Sequence, residues 1–265
     1  MRDSLVLKFL YKTVPGRICL KILTRPVISK IAGSFLDSGF SAFLIEPFAK
    51  MYKINLDGID MPAEGFYSFN EFFTRKKLDI SFDEKNSHLI SPSDGFLSVY
   101  KIDRKSRFEI KHTKFSVSDL LGDKKLAKDF SGGTALIYRL TPSNYHRYIF
   151  IDDGKIIKHK KIRGVLHTVR PIAIERYPVY VQNSREVTII DTNNFGTIAQ
   201  VEIGALLIGR ITNDKKKGRV KRGEEKGYFE FGGSTIVILL KKDAADIKES
   251  KREKPVSIGD LVGKR

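Results

Sequence analysis

The segment KGYFEFGGSTIVILL (residues 226–240) sets two adjacent glycines, Gly232 and Gly233, directly before Ser234 and Thr235 and a run of five apolar residues. Paired glycines inside a strand weaken its ladder and bring no side chain to pack, so this position requires a bare backbone. Two readings satisfy that requirement. One is a β-bulge or tight bend. The other is a strained Gly233–Ser234 bond whose serine hydroxyl attacks the preceding carbonyl, a step that needs an open approach and a backbone conformation that a side chain disfavours. Asp94 lies in the turn of SPSDGFLSVYKI (residues 91–102), where an aspartate ordinarily bonds its own backbone. His146 stands in TPSNYHRYIFID (residues 141–152), at the start of an apolar strand and beside Arg147. A serine, a histidine and an aspartate are the inventory for nucleophile activation, in which an imidazole takes the hydroxyl proton and a carboxylate holds the imidazole's tautomer. Each also has an ordinary structural role, and spacing does not choose between them.

Other chemistries find less support. His88, His112, His159 and His167 form no H-E-x-x-H pair, and the single cysteine, Cys19, is remote from them, so no metal site is expected. A Walker loop and a G-x-G-x-x-G fingerprint are both missing, and GGST runs into an apolar strand instead of the helix whose N-terminus such loops use. One cysteine also excludes an intrachain disulfide framework and makes a reducing, intracellular setting the default. No window holds 18 consecutive apolar residues, and Lys8 and Lys12 interrupt the would-be core of a secretory signal.

The elements that must position these residues fall into two textures. Residues 1–60 read as helical and basic. Leu7, Leu10, Tyr11 and Val14 share one helical face until Pro15-Gly16; Arg17, Lys21 and Arg25 then recur at i+4 spacing, and residues 33–54 look like a further helix. Residues 1–31 carry seven basic side chains and one acidic, which suits either a helix lying in the interface of anionic lipid or one packed on its own domain with lysines outward. Residues 61–265 read as predominantly antiparallel β, with strands expected at 96–102, 134–140, 147–151, 187–191, 196–211 and 228–240 and turns at 91–95, 131–133 and 152–154. The charged tail after Lys241 reads as a solvated excursion. The fold class is therefore α+β, N-terminal amphipathic helices followed by an antiparallel β catalytic domain. A 265-residue chain with a net charge of +17 calls for a polyanion or an anionic lipid surface as its partner.

SFNEFFTRK (68–76), SPSDG (91–95), FSVSDLLG (115–122), YHR (145–147), FGTIAQVEIGALLIGRI (195–211) and KGYFEFGGSTIVIL (226–239) together resemble the phosphatidylserine decarboxylase family, in the same order as in that family and over residues 60–240. The resemblance implies a proenzyme that cuts itself between Gly233 and Ser234 into a β chain (1–233) and an α chain (234–265) that begins with a pyruvoyl group derived from Ser234. That pyruvoyl group is the cofactor. It forms a Schiff base with the substrate amine and serves as the electron sink when the serine headgroup loses CO2, leaving phosphatidylethanolamine. The implied partners are an anionic phospholipid substrate and the cytoplasmic side of the cell membrane, met peripherally. A homodimer is also implied, and nucleic acid is not expected.

One departure bears on mechanism. Many members of the family read Y-H-R-x-H-x-P, and the second histidine is the one placed beside the aspartate as the self-cleavage base. Here the corresponding positions are Ile149 and Ile151. Ser234 and Asp94 carry over, as does His146 as proton donor in decarboxylation. The missing imidazole is expected either from His146 acting in both steps or from His167 in GVLHTVRP (164–171). Two other functions answer parts of the same pattern: a basic nucleic-acid-binding β protein, through YHRYIF (145–150), and a serine hydrolase using Ser234, which lacks the G-x-S-x-G elbow.

Overall fold

A computed structural model describes residues 5–110, 113–175, 177–206, 210–232 and 234–265. The helical part opens with α1 (Leu5–Lys12), α2 (Val14–Leu23), α3 (Pro26–Leu36), α4 (Ile45–Tyr52) and α5 (Phe69–Phe73). Pro15 and Gly16 open α2 behind the N-cap of Thr13, whose side chain accepts the Gly16 N–H. The single helix expected over 33–54 is three pieces. α3 stops at Asp37, a 3-10 turn runs over Gly39–Leu44, and α3 and the following helical stretch are bent by 88°. Ser41 supports that corner by bonding the carbonyls of Leu36 and Ser38. Among the described residues, no single helix is long and apolar enough to cross a membrane.

The β part comprises β1 (His88–Ile90), β2 (Gly95–Lys101), β3 (Arg107–Ile110), β4 (Thr113–Ser116), β5 (Thr134–Leu140), β6 (Arg147–Ile149), β7 (Gly154–Ile162), β8 (Arg185–Thr192), β9 (Gly196–Gly204), β10 (Ile211–Asn213), β11 (Gly218–Val220), β12 (Glu225–Phe229), β13 (Ser234–Leu240), β14 (Ser250–Val256) and β15 (Leu261–Lys264). An eight-stranded sheet in the order β11-β7-β8-β9-β13-β5-β2-β14 forms the framework, and a three-stranded sheet, β10-β12-β6, packs beside it. The ladders among described strands are antiparallel, as expected. Two expected strands are interrupted: 196–211 leaves its ladder at Gly204, and 228–240 breaks between Phe229 and Ser234.

The charged tail is not a solvated excursion. It forms β14 along β2 and β15 along β1, with Pro255 paired to Phe96. Its lysines and arginines face water on an edge strand, a placement in which charge and proline discourage further pairing. β13 is the reverse case. All seven of its residues are buried between β5 and β9, so it reads as a continuous apolar run without alternation. One core, holding Val237 and Leu239, also takes Leu10, Tyr11 and Leu20 from α1 and α2; a second holds Ile236, Ile238, Tyr138 and Phe229. A phenylalanine cluster, Phe69, Phe72 and Phe73 with Phe48 and Phe231, joins α4 and α5 to the chain just ahead of β13.

Candidate active site

Strand register brings the chemistry to one end of the large sheet. Ser234, the first residue of β13, faces Leu140 at the end of β5 and Gly204 at the end of β9. Phe96 faces Arg139, so Asp94 and Gly95 come to the same end two strands from Ser234, about 10 Å away at ordinary strand spacing. Gly95 has φ +152°, and a Cβ there would stand 3.0 Å from the Arg139 carbonyl oxygen, which explains the glycine of SPSDG. Gly232 has φ +148°, again a conformation that side chains disfavour. Gly233 lies outside the described residues, as does His112.

The hydroxyl of Ser234 is buried and has no hydrogen-bond partner among the described residues. His146 is also fully buried. Its Nδ1 lies 2.8 Å from the Asn144 carbonyl oxygen, which can only accept, so Nδ1 carries the proton and the unpartnered Nε2 presents a lone pair. Burial pulls this imidazole down to about 3, opposed by the Asn144 bond and assisted by the charge of Arg75. The ring packs on Phe73 with centroids 4.2 Å apart. The side chain is thus a neutral base fixed in one tautomer.

Asp94 does not hold that tautomer. Its Oδ2 accepts the Tyr145 N–H at 3.2 Å, its Oδ1 accepts the Ile258 N–H at 2.9 Å, and Lys77 Nζ stands 3.9 Å from Oδ1. The carboxylate therefore orients the loop carrying His146 through the backbone of the preceding residue. Ile149 is fully buried and its N–H donates to the Pro92 carbonyl, so this position locks the SPSDG turn against β6 and supplies no proton acceptor.

His167 is placed differently. Its N–H donates to Asn183 Oδ1, and Asn183 Nδ2 donates to both the His167 and the Gly204 carbonyls, so one buried asparagine links His167 to the residue that faces Ser234. The imidazole stacks on Tyr177 at 4.4 Å and meets Tyr11 through Nδ1 at 3.2 Å. The Tyr11 oxygen also accepts the Thr168 N–H, so this one hydroxyl ties the imidazole to the backbone of the next residue. Burial lowers the pKa of this ring as well. With Val14, Ile18, Arg17 and Lys21 of α2, His167 lines a cleft of about 530 Å³.

Sequence reasoning missed Arg75 and Asn183. Arg75 is buried under the carbonyls of Phe72 and Phe73 and supplies positive charge beside Asp94 and His146; its signal was its place in SFNEFFTRK. Asn183 carried no local signal. Among the described residues, no cluster of histidine, cysteine, aspartate and glutamate offers a metal site.

The chain is similar to known proteins over nearly its whole length. The family model described as phosphatidylserine decarboxylase matches residues 69–264. Phosphatidylserine decarboxylase proenzyme 2 of Clostridium acetobutylicum is 44% identical over 267 residues, covering 97% of this chain and 91% of that protein. The phosphatidylserine decarboxylase proenzyme of Ruminiclostridium cellulolyticum is 41% identical, with 92% and 83% covered, and that of Clostridium perfringens ATCC 13124 is 37% identical, with 96% and 91% covered. On these matches, with the six motifs in order across its length, the chain belongs to the phosphatidylserine decarboxylase family.

Proposed function

We propose that the chain is a proenzyme that breaks its own backbone between Gly233 and Ser234 and, once cut, converts phosphatidylserine to phosphatidylethanolamine and CO2. The observation that carries this reading is the unpartnered hydroxyl of Ser234, buried at the entry of a strand paired on both sides. Buried hydroxyls are mostly paired; Ser93 Oγ is unpartnered too, and what sets Ser234 apart is its place directly after two glycines at the first residue of β13.

In the first step Ser234 Oγ bonds to the Gly233 carbonyl carbon while the peptide C–N bond breaks, giving an ester and a free amine. His146 takes the Oγ proton on Nε2 and passes it to the departing nitrogen, so a base held near 3 carries the charge only in passing. Loss of the Ser234 α-proton and cleavage of the Cβ–Oγ bond then release Gly233 as a carboxylate and leave dehydroalanine at residue 234. Its imine tautomer takes up water and loses ammonia. The buried, unpartnered Ser234 Oγ and the bare Nε2 fit this conversion to a pyruvoyl group, whose ketone supplies an electron sink for decarboxylation when present. In that reaction His146 is the group to hold and return a proton. His167 has its Nδ1 engaged by Tyr11 and its ring stacked on Tyr177, whereas His146 keeps Nε2 bare, which favours His146 for the step.

Membrane contact belongs to the same proposal, on the cytoplasmic leaflet. Ile18 and Ile22 are exposed on α2, where Arg17 and Lys21 stand next to them in sequence, and Phe40 and Phe43 are exposed on the 3-10 turn. Apolar side chains with interleaved cations suit the boundary of an anionic bilayer.

Mass spectrometry tests the reading. The wild-type chain is expected as two pieces, 1–233 and 234–265, the shorter one blocked at its N-terminus, and Ser234→Ala as one. Removing the general base should slow cutting at least ~100-fold in His146→Ala, while His167→Ala is cut. An uncut wild-type chain that releases CO2 from phosphatidylserine at a normal rate overturns the proposal.

A further inference from the structure

Three successive backbone N–H groups ahead of the proposed cleavage bond are each held. Phe229 donates to the His146 carbonyl at 3.0 Å, Glu230 to the Arg210 carbonyl at 3.1 Å, and Phe231 to the side-chain Oδ1 of Asn70 at 3.2 Å. The third is the only one held by a side chain. Asn70 lies in α5, 161 residues away in sequence, and is itself buried. Its Nδ2 donates to Asp37 Oδ1 at 2.7 Å, where Asp37 caps the end of α3. Arg210 closes the circuit, with NH1 3.6 Å from Asp37 Oδ2 and Nε 2.6 Å from Glu230 Oε1. The Phe231 ring packs edge-on against Phe69 and Phe73 of the same helix.

On the far side of the bond, Ser234 is held by two strand ladders. Phe231 and Ser234 are thus two fixed points three residues apart, joined through two glycines. Holding the chain on both sides of a bond is the condition for an intramolecular attack across it to gain from orientation. We propose that Asn70, oriented by Asp37, is a positioning residue for self-cleavage: it anchors the chain ahead of the cut so that the Gly233 carbonyl is presented to Ser234. The inference rests on the self-cleavage reading above and extends it, because it gives the N-terminal helices a part in making the enzyme as well as in meeting lipid.

The test follows the full-length chain, made by cell-free translation, as it converts to two pieces on a denaturing gel. Asn70→Ala should slow conversion at least about fivefold, the effect of losing one buried hydrogen bond. Asn70→Asp keeps the acceptor for Phe231 but sets a carboxylate against Asp37, and should slow conversion similarly. Asn70→Asp combined with Asp37→Asn restores donor and acceptor in reversed order and should recover a rate within about twofold of wild type. Melting temperatures of the same variants, each carrying Ser234→Ala to prevent cutting, separate anchoring from folding. If Asn70→Ala does not fold, the single and double aspartate variants decide by themselves. Wild-type rates in Asn70→Ala or Asn70→Asp, or a double variant as slow as the single, overturn the anchor while self-cleavage stands. A wild-type chain that never splits removes both.

Discussion

His146 couples the site to stability through its protonation. In the folded chain burial holds the imidazole neutral, down at about 3, whereas an unfolded histidine titrates near 6.5. Between those values the unfolded chain binds the extra proton. The contribution of this group to stability is therefore complete above about pH 6.5 and is lost as pH falls toward 3, at a limiting slope on the order of 1 kcal/mol per pH unit. Urea unfolding of the uncut Ser234→Ala chain at pH 7, 6 and 5 should show that decline, and adding His146→Gln should flatten it by about that slope. Gln is chosen because its amide can still donate to the Asn144 carbonyl. The buried ring of His167 acts in the same direction, so some slope remains in both chains. Equal slopes would mean that the imidazole is not enclosed as described.

At the scale of elements, what the sequence shows and what it hides divide along burial. β13 and β5 announce themselves as apolar runs because both faces are covered. β7, GKIIKHKKI, and β14, SKREKPV, do not, because their lysines face water and backbone pairing, of β7 with β8 and β11 and of β14 with β2, makes them strands. The bend between α3 and α4 is equally silent, since both sides of it are apolar. The site divides in the same way. Residue type and motif single out Ser234, His146 and Asp94, but the bonds of Asp94 reach backbone N–H groups 51 and 164 residues away, a distance that no local spacing encodes. The bend also carries a prediction. Phe40 is 85% and Phe43 68% exposed on the 3-10 turn, so they form an apolar prominence and add nothing large to the core. Phe40→Ser with Phe43→Ser should lower binding to phosphatidylglycerol vesicles at least about tenfold, given ~1.5–3 kcal/mol for each large apolar side chain fully removed from water. The melting temperature of the protein should stay unchanged. Unaltered vesicle affinity would assign this corner another role.

For the whole molecule, charge and apolar surface make separable contributions to the same encounter. The chain carries a net +17, and its first 31 residues hold seven basic side chains against one acidic. Deleting those residues would be a poor test, because Leu10, Tyr11 and Leu20 belong to the first core and their loss would open it. Salt separates the contributions without touching the fold. Cations near an anionic surface act over a screening length that shrinks from about 10 Å at 0.1 M to about 3 Å at 1 M, while transfer of phenylalanine and isoleucine into the acyl boundary is not screened. Sedimentation of the uncut Ser234→Ala chain with phosphatidylglycerol vesicles should therefore fall steeply between 0.1 and 1 M salt and level off above zero. With Phe40→Ser and Phe43→Ser added, the same titration should start lower and run to no binding at high salt. Binding that ignores salt altogether would mean that the excess of positive charge serves something other than the lipid surface.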